Sequence, residues 1–73
     1  MSKLPVISGR QCQKVLEKKD FLLKRQEGSH MIFRRLDPFA QVVVPDHDVL
    51  DRGTLRAILR QAGISVEELI NLL

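Results

Sequence analysis

Apolar residues recur along this chain with two different periods, and the change of period marks its elements. Cys12, Val15 and Leu16 stand at helical spacing behind Ser8-Gly9-Arg10-Gln11. That tetrad is a capping box: the Ser8 hydroxyl accepts from the Gln11 amide while the Gln11 side chain reaches back, which predicts a helix over residues 9–19. From Phe21 the pattern shortens. Phe21-Leu22-Leu23-Lys24-Arg25-Gln26 and Met31-Ile32-Phe33 flank Glu27-Gly28-Ser29, whose turn chemistry makes the two runs a β-hairpin. Asp37-Pro38 marks the next turn, and the β-branched run Gln41-Val42-Val43-Val44, ended by Pro45, supplies a third strand of an antiparallel meander.

Beyond the polar connection at Asp46-His47-Asp48, Asp51 can cap a helix whose apolar face is Leu55, Ile58, Leu59 and Ala62, with Gly63 as its left-handed stop. Ser65-Val66-Glu67-Glu68 is a second capping box, opening a short helix with Val66, Leu69, Ile70 and Leu73 at helical spacing. The expected class is therefore α+β: an α-β-β-β-α domain with a short extra C-terminal helix. Its three-stranded antiparallel sheet carries helices on one face, as in double-stranded-RNA-binding domains. With 73 residues there is room for a single domain, 1–73, and no second core.

Composition narrows the partners. Only three residues are aromatic, with no Trp or Tyr, which disfavours binding through a base-stacking platform. The lone cysteine, Cys12, has no internal disulfide partner and reads as a small core residue. No stretch approaches the ~20 apolar residues of a membrane span, so a soluble protein of a reducing cytoplasm is expected. Charge is distributed unevenly: residues 1–35 hold nine Lys/Arg against three Asp/Glu, and residues 36–73 hold three against six. Arg10, Lys14 and Lys18 make one i, i+4 basic row and Arg52, Arg56 and Arg60 another. Clustered cations of this kind suit an anionic partner such as nucleic acid, although solvated helix faces produce the same composition.

Several segments, taken in order, resemble one known family. They are Gln26-Glu27-Gly28-Ser29-His30 with Ile32-Phe33, then Val43-Val44-Pro45 with His47, then Gly53-Thr54-Leu55-Arg56 running through Ile58-Leu59-Arg60-Gln61-Ala62-Gly63-Ile64-Ser65. Together they look like the HicA family of bacterial toxins. That resemblance implies a toxin of a type II toxin-antitoxin system, an mRNA interferase with a double-stranded-RNA-binding-like fold, neutralised by a HicB-like antitoxin. It also implies that the active histidine is the one in the Gly-Ser-His turn, here His30.

Cleaving RNA without a metal requires a base for the 2′-hydroxyl proton and an acid for the leaving 5′-oxygen, and histidine side chains, which titrate at about 6.5, suit either task. His30 fills that role under the family reading; on the residues alone a polar strand residue is the favoured reading. His47, the only other histidine, is the possible auxiliary group or a loop residue. Lys24, Arg25, Arg34 and Arg35 flank the turn as candidate phosphate contacts, or as edge charges that block strand addition. Gly28 permits a positive φ and lets a phosphate approach the backbone, and Ser29 can donate to one. Arg52, Thr54 and Arg56 stand at a helix start, where amides and the helix dipole favour anions. One cysteine and two separated histidines do not form a metal-ligand set, and no cofactor is expected. A non-catalytic RNA-binding module of the same fold is the alternative.

Overall fold

A computed structural model describes residues 3–73. Its elements follow the order α1 (Gly9–Lys18), β1 (Leu22–Glu27), β2 (His30–Leu36), β3 (Phe39–Pro45), α2 (Arg52–Ala62) and α3 (Val66–Leu72). The three strands form an antiparallel sheet in the order β1-β2-β3. This is the α+β arrangement expected from the periodicity, with the short third helix at the end.

Both predicted capping boxes are formed. Ser8 Oγ accepts from the Gln11 amide at 3.0 Å and Gln11 Oε1 from the Ser8 amide at 2.9 Å, while Ser65 and Glu68 repeat the exchange at α3. Gly63 ends α2 in the left-handed conformation at φ +72°. Cys12, Val15 and Leu16 of α1, with Leu55, Ile58, Leu59 and Ala62 of α2, bury themselves against Met31, Phe33, Val42 and Val44 on one face of the sheet. Leu69 joins them from α3 together with the partly buried Val66 and Leu72, whereas Ile70 and Leu73, expected on that face, are exposed. The C-terminal end of α1 grips this helix: Lys19 Nζ lies 2.9 Å from Glu68 Oε2, and Lys18 Nζ donates to the Leu72 carbonyl at 2.6 Å.

Among the described residues no helix covers the other face of the sheet. β1 reaches it through a bulge: Leu23 opposes Phe33 and Arg25 opposes Ile32, leaving Lys24 as the extra residue. Strict alternation would turn Leu23 and Arg25 to the same face. The bulge instead keeps Leu23, itself 42% exposed, opposite Phe33 while Arg25 and Glu27 pair with Ile32 and His30 of the open face. Ile32 is buried yet is not part of the core cluster, because it lies between its cross-strand partners Arg25 and Val43 on that open face. Toward the far end from His30, Leu22 (73% exposed), Leu36 (80%) and Phe39 (68%) leave apolar surface in solvent. Arg35, of core-facing parity, stacks its guanidinium 4.6 Å from the Phe21 ring centroid and is a packing residue.

Candidate active site

His30 is the first residue of β2 and stands directly after a two-residue turn, Gly28-Ser29. Gly28 has φ +59° and Ser29 is not among the positive-φ residues, the φ pattern of a type II′ turn, in which glycine belongs at the first central position. A Cβ on Gly28 would meet nothing within 4 Å, so its backbone, not close packing, demands glycine there. Register places Glu27 on one side of His30 and Pro45 on the other. The backbone of the histidine is thus held in the middle strand while its side chain stays exposed at the rim of the open face.

The segment after β3 ties this end together. The Asp46 amide donates to the Ser29 carbonyl at 2.6 Å, and the Gly9 amide donates to the His47 carbonyl at 2.9 Å. Arg10 forks onto the Asp46 carboxylate, Nε to Oδ1 at 3.0 Å and Nη2 to Oδ2 at 2.8 Å. Gln26 Nε2 bridges the Gly28 carbonyl at 3.0 Å and Asp46 Oδ2 at 3.3 Å. The Arg10 hydrogen bonds, aided by Gln26, hold the Asp46 carboxyl below its usual range, and the same contact raises Arg10. Further along, Leu50 donates to the Ile7 carbonyl at 2.9 Å, so the starts of α1 and α2 gather at the end of the sheet that carries His30.

The other candidates divide. Lys24 is the exposed bulge residue and, with Leu22, Leu23, Arg34 and Leu36, lines a shallow groove of about 360 Å³ along β1. Arg34 shares the open face with His30 four residues away, roughly 13 Å along the strand, and donates two hydrogen bonds to Gln41 Oε1 at 3.1 and 2.9 Å. Arg25 is engaged by Glu27, Nε to Oε2 at 2.6 Å. At α2, Asp51 Oδ1 accepts the Thr54 amide at 2.6 Å, which lowers the Asp51 carboxyl and removes that amide from those open to an anion. The side chains of Arg52 and Arg56 remain exposed, without a side-chain hydrogen bond or ion pair among the described residues.

His47 is exposed in the loop between Asp46 and Asp51. It follows the residue opposite His30 by two positions and shares that end of the sheet, but no hydrogen bond joins the two histidines among the described residues. The closest-registered titratable neighbour of His30 is instead Glu27, directly opposite on the same face, a partner that a search for a second histidine passes over. Asp46 was also absent from the expected site, since nothing local distinguishes it from the polar loop around it.

Among the described residues no group of three or more His, Cys, Asp or Glu side chains is arranged to hold a metal ion, and no helix is long and apolar enough to cross a membrane. No curated protein sequence matches the chain. A protein-family model does: that of the HicA toxin of bacterial toxin-antitoxin, over residues 9–64. The matched span runs from the capped start of α1, through the histidine turn and the whole sheet, to the residue after the stop of α2. A match across that much of the 73 residues establishes the relationship: the chain belongs to the HicA toxin family, the toxin side of bacterial toxin-antitoxin systems.

Proposed function

We propose that this toxin is a metal-independent mRNA interferase, an endoribonuclease of the cytoplasm in which His30 acts as general acid or base. The observation that carries the reading is the position of His30: exposed at the rim of a sheet face that no helix among the described residues covers, with its backbone fixed between two neighbouring strands. In the proposed reaction a base removes the 2′-hydroxyl proton and the 2′-oxygen attacks the adjacent phosphorus. The bond to the 5′-oxygen then breaks as that oxygen takes up a proton, leaving a cyclic phosphate and a 5′-hydroxyl end. A single imidazole does not readily perform both transfers, and Glu27 and His47 are the neighbours available for the second.

Lys24 of β1 and Arg34 of β2, with Arg52 and Arg56 on α2, would hold phosphates and orient the strand without reading its bases. Arg25, Gly28, Ser29 and Thr54 would contribute closer contacts around the turn and the helix start. A HicB-like antitoxin would inhibit by covering the histidine and competing for these cations.

Parent and His30→Ala chains, expressed in bacteria and then purified and incubated with long single-stranded RNA in chelator, test the proposal. The parent should arrest growth and generate new RNA ends, and His30→Ala should do neither; toxicity that persists in His30→Ala would overturn the assignment. One observation favours the rival reading of a non-catalytic RNA-binding module: the His30 ring has no hydrogen-bond partner among the described residues. Tight RNA binding by the parent with no new ends would decide for that module.

A further inference from the structure

Asp46 joins three segments at the histidine end of the molecule: the turn at Ser29, α1 and β1. Its backbone amide holds the turn at Ser29, its carboxylate takes both arms of Arg10 from α1, and its Oδ2 accepts Gln26 of β1, whose amide nitrogen also reaches the Gly28 carbonyl. We propose that Asp46 is a positioning residue for His30, clamping the Gly28-Ser29 turn to the start of α1 so that the imidazole meets RNA from one fixed place. The inference rests on the reading of His30 as the catalytic group.

The physical case is one of geometry, not of stability. The Arg10 side chain is well exposed, and an exposed ion pair contributes little to the folding free energy. A hairpin tip is held by its own strands on two sides only, and here the clamp adds a third attachment, to a helix. The same contacts assign Arg10: its guanidinium is turned onto Asp46 and serves the clamp instead of the substrate. An arginine that bound RNA directly would behave oppositely, because removing Asp46 would free it for phosphate.

The test uses the purified full chain with the variants Asp46→Asn, Arg10→Gln, the double variant and Asp46→Glu, following cleavage of single-stranded RNA and amide hydrogen exchange at residues 28–30. Displacement of a catalytic group by even an ångström is costly, so Asp46→Asn and Arg10→Gln should each lower kcat about tenfold with KM changed by less than about twofold. The double variant should be no worse than either single one, since both remove the same clamp. Exchange at residues 28–30 should quicken in the same variants while the melting temperature stays near the parent value, and Asp46→Glu should recover part of kcat. A lower KM in Asp46→Asn with a raised KM in Arg10→Gln would overturn the proposal, as would a kcat loss with unaltered exchange at the turn, or an unaltered kcat. If His30→Ala cleaves like the parent, the catalytic reading fails and the positioning claim falls with it. If His30→Ala is inactive and Asp46→Asn is fully active, the clamp alone is refuted.

Discussion

Two glycines stand near helix starts in this fold, and replacing each by alanine should change stability in opposite directions. In a helix, alanine is favoured over glycine by roughly 0.8–1 kcal/mol, so propensity alone predicts a gain at both Gly9 and Gly53. At Gly9 a Cβ would fall 2.1 Å from the Pro45 carbonyl oxygen, 3.1 Å from its carbon and 3.2 Å from Asp46 Cα. All three atoms are backbone, and non-bonded contacts of this kind settle at about 3.5 Å or more, so the end of β3 and the residue after it would have to retreat by over an ångström. Overpacking of that sort costs about 1–3 kcal/mol, and the retreat also endangers the hydrogen bond from the Gly9 amide to the His47 carbonyl, worth about 1 kcal/mol. Set against the propensity gain, Gly9→Ala should lose about 1–3 kcal/mol, and at 4–8 °C of melting temperature per kcal/mol for a domain of this size the loss is plain in a thermal scan. Gly53 is the control: its Cβ would meet only Asp51 Oδ1, at 3.7 Å, so Gly53→Ala should be neutral or stabilising by up to about 1 kcal/mol. Urea and thermal unfolding of the parent and both variants supply the comparison. A Gly9→Ala protein as stable as the parent would show that α1 does not pack against Pro45 as closely as described.

Other outcomes follow from the caps, the buried thiol and the surroundings of His30. Asp51→Ala removes the acceptor for the Thr54 amide and should lower the urea midpoint of unfolding. Asp46 and Asp51 are both depressed in the folded state, so their contribution to stability is present above the unfolded carboxyl value near 3.8 and is lost as pH falls through their folded values; the urea midpoint should drop on acidification, and less so in Asp51→Asn. Burial pushes the Cys12 thiol up to about 11 from 9.0, so the native chain should react with a thiol reagent at pH 8 far more slowly than the urea-unfolded chain. The same shift has the opposite pH sign: the stability it reflects is full below 9 and is lost as pH rises toward 11, a fall that Cys12→Ala should lessen. For the second proton transfer, near-parental cleavage by His47→Ala together with a flattened pH profile in Glu27→Gln would assign it to the carboxylate opposite His30, and the reverse pattern would assign it to the histidine.

The parts of the fold that were legible in sequence are those set by neighbours within about four positions along the chain. Ser8 and Gln11, Ser65 and Glu68, Asp51 and Thr54, and Gly63 each act over one helical turn, so residue type and spacing disclose them. The bulge at Lys24 was not legible, because it resolves a conflict between strands: Leu23 and Arg25 share a parity but need opposite faces once Phe33 and Ile32 are set against them. The final helix shows the same limit. Its apolar spacing admitted Ile70 and Leu73 to the buried side, and the choice of Leu72 depends on where α1 lies against it.

For the candidate site the division falls in the same place, and it carries a lesson about counting charges. Gly28, Ser29 and His30 are contiguous, and their turn geometry follows from glycine at the first central position. The cations around them are not all open to an anion: Arg25 is held by Glu27 two residues away and Arg34 by Gln41 across the strand pair. Asp46 and Arg10 lie 36 positions apart, and no local pattern joins them. A signal did exist at the neighbouring residue. A glycine in the first turn of a capped helix sacrifices propensity, and a sacrifice of that kind points to another backbone passing close by. Gly9 is where the Pro45-Asp46 segment crosses α1, and the residue after it, Arg10, is the one that reaches Asp46. The misplaced glycine therefore marks the contact that anchors the histidine turn, whereas the basic row Arg10-Lys14-Lys18 carries no trace of it.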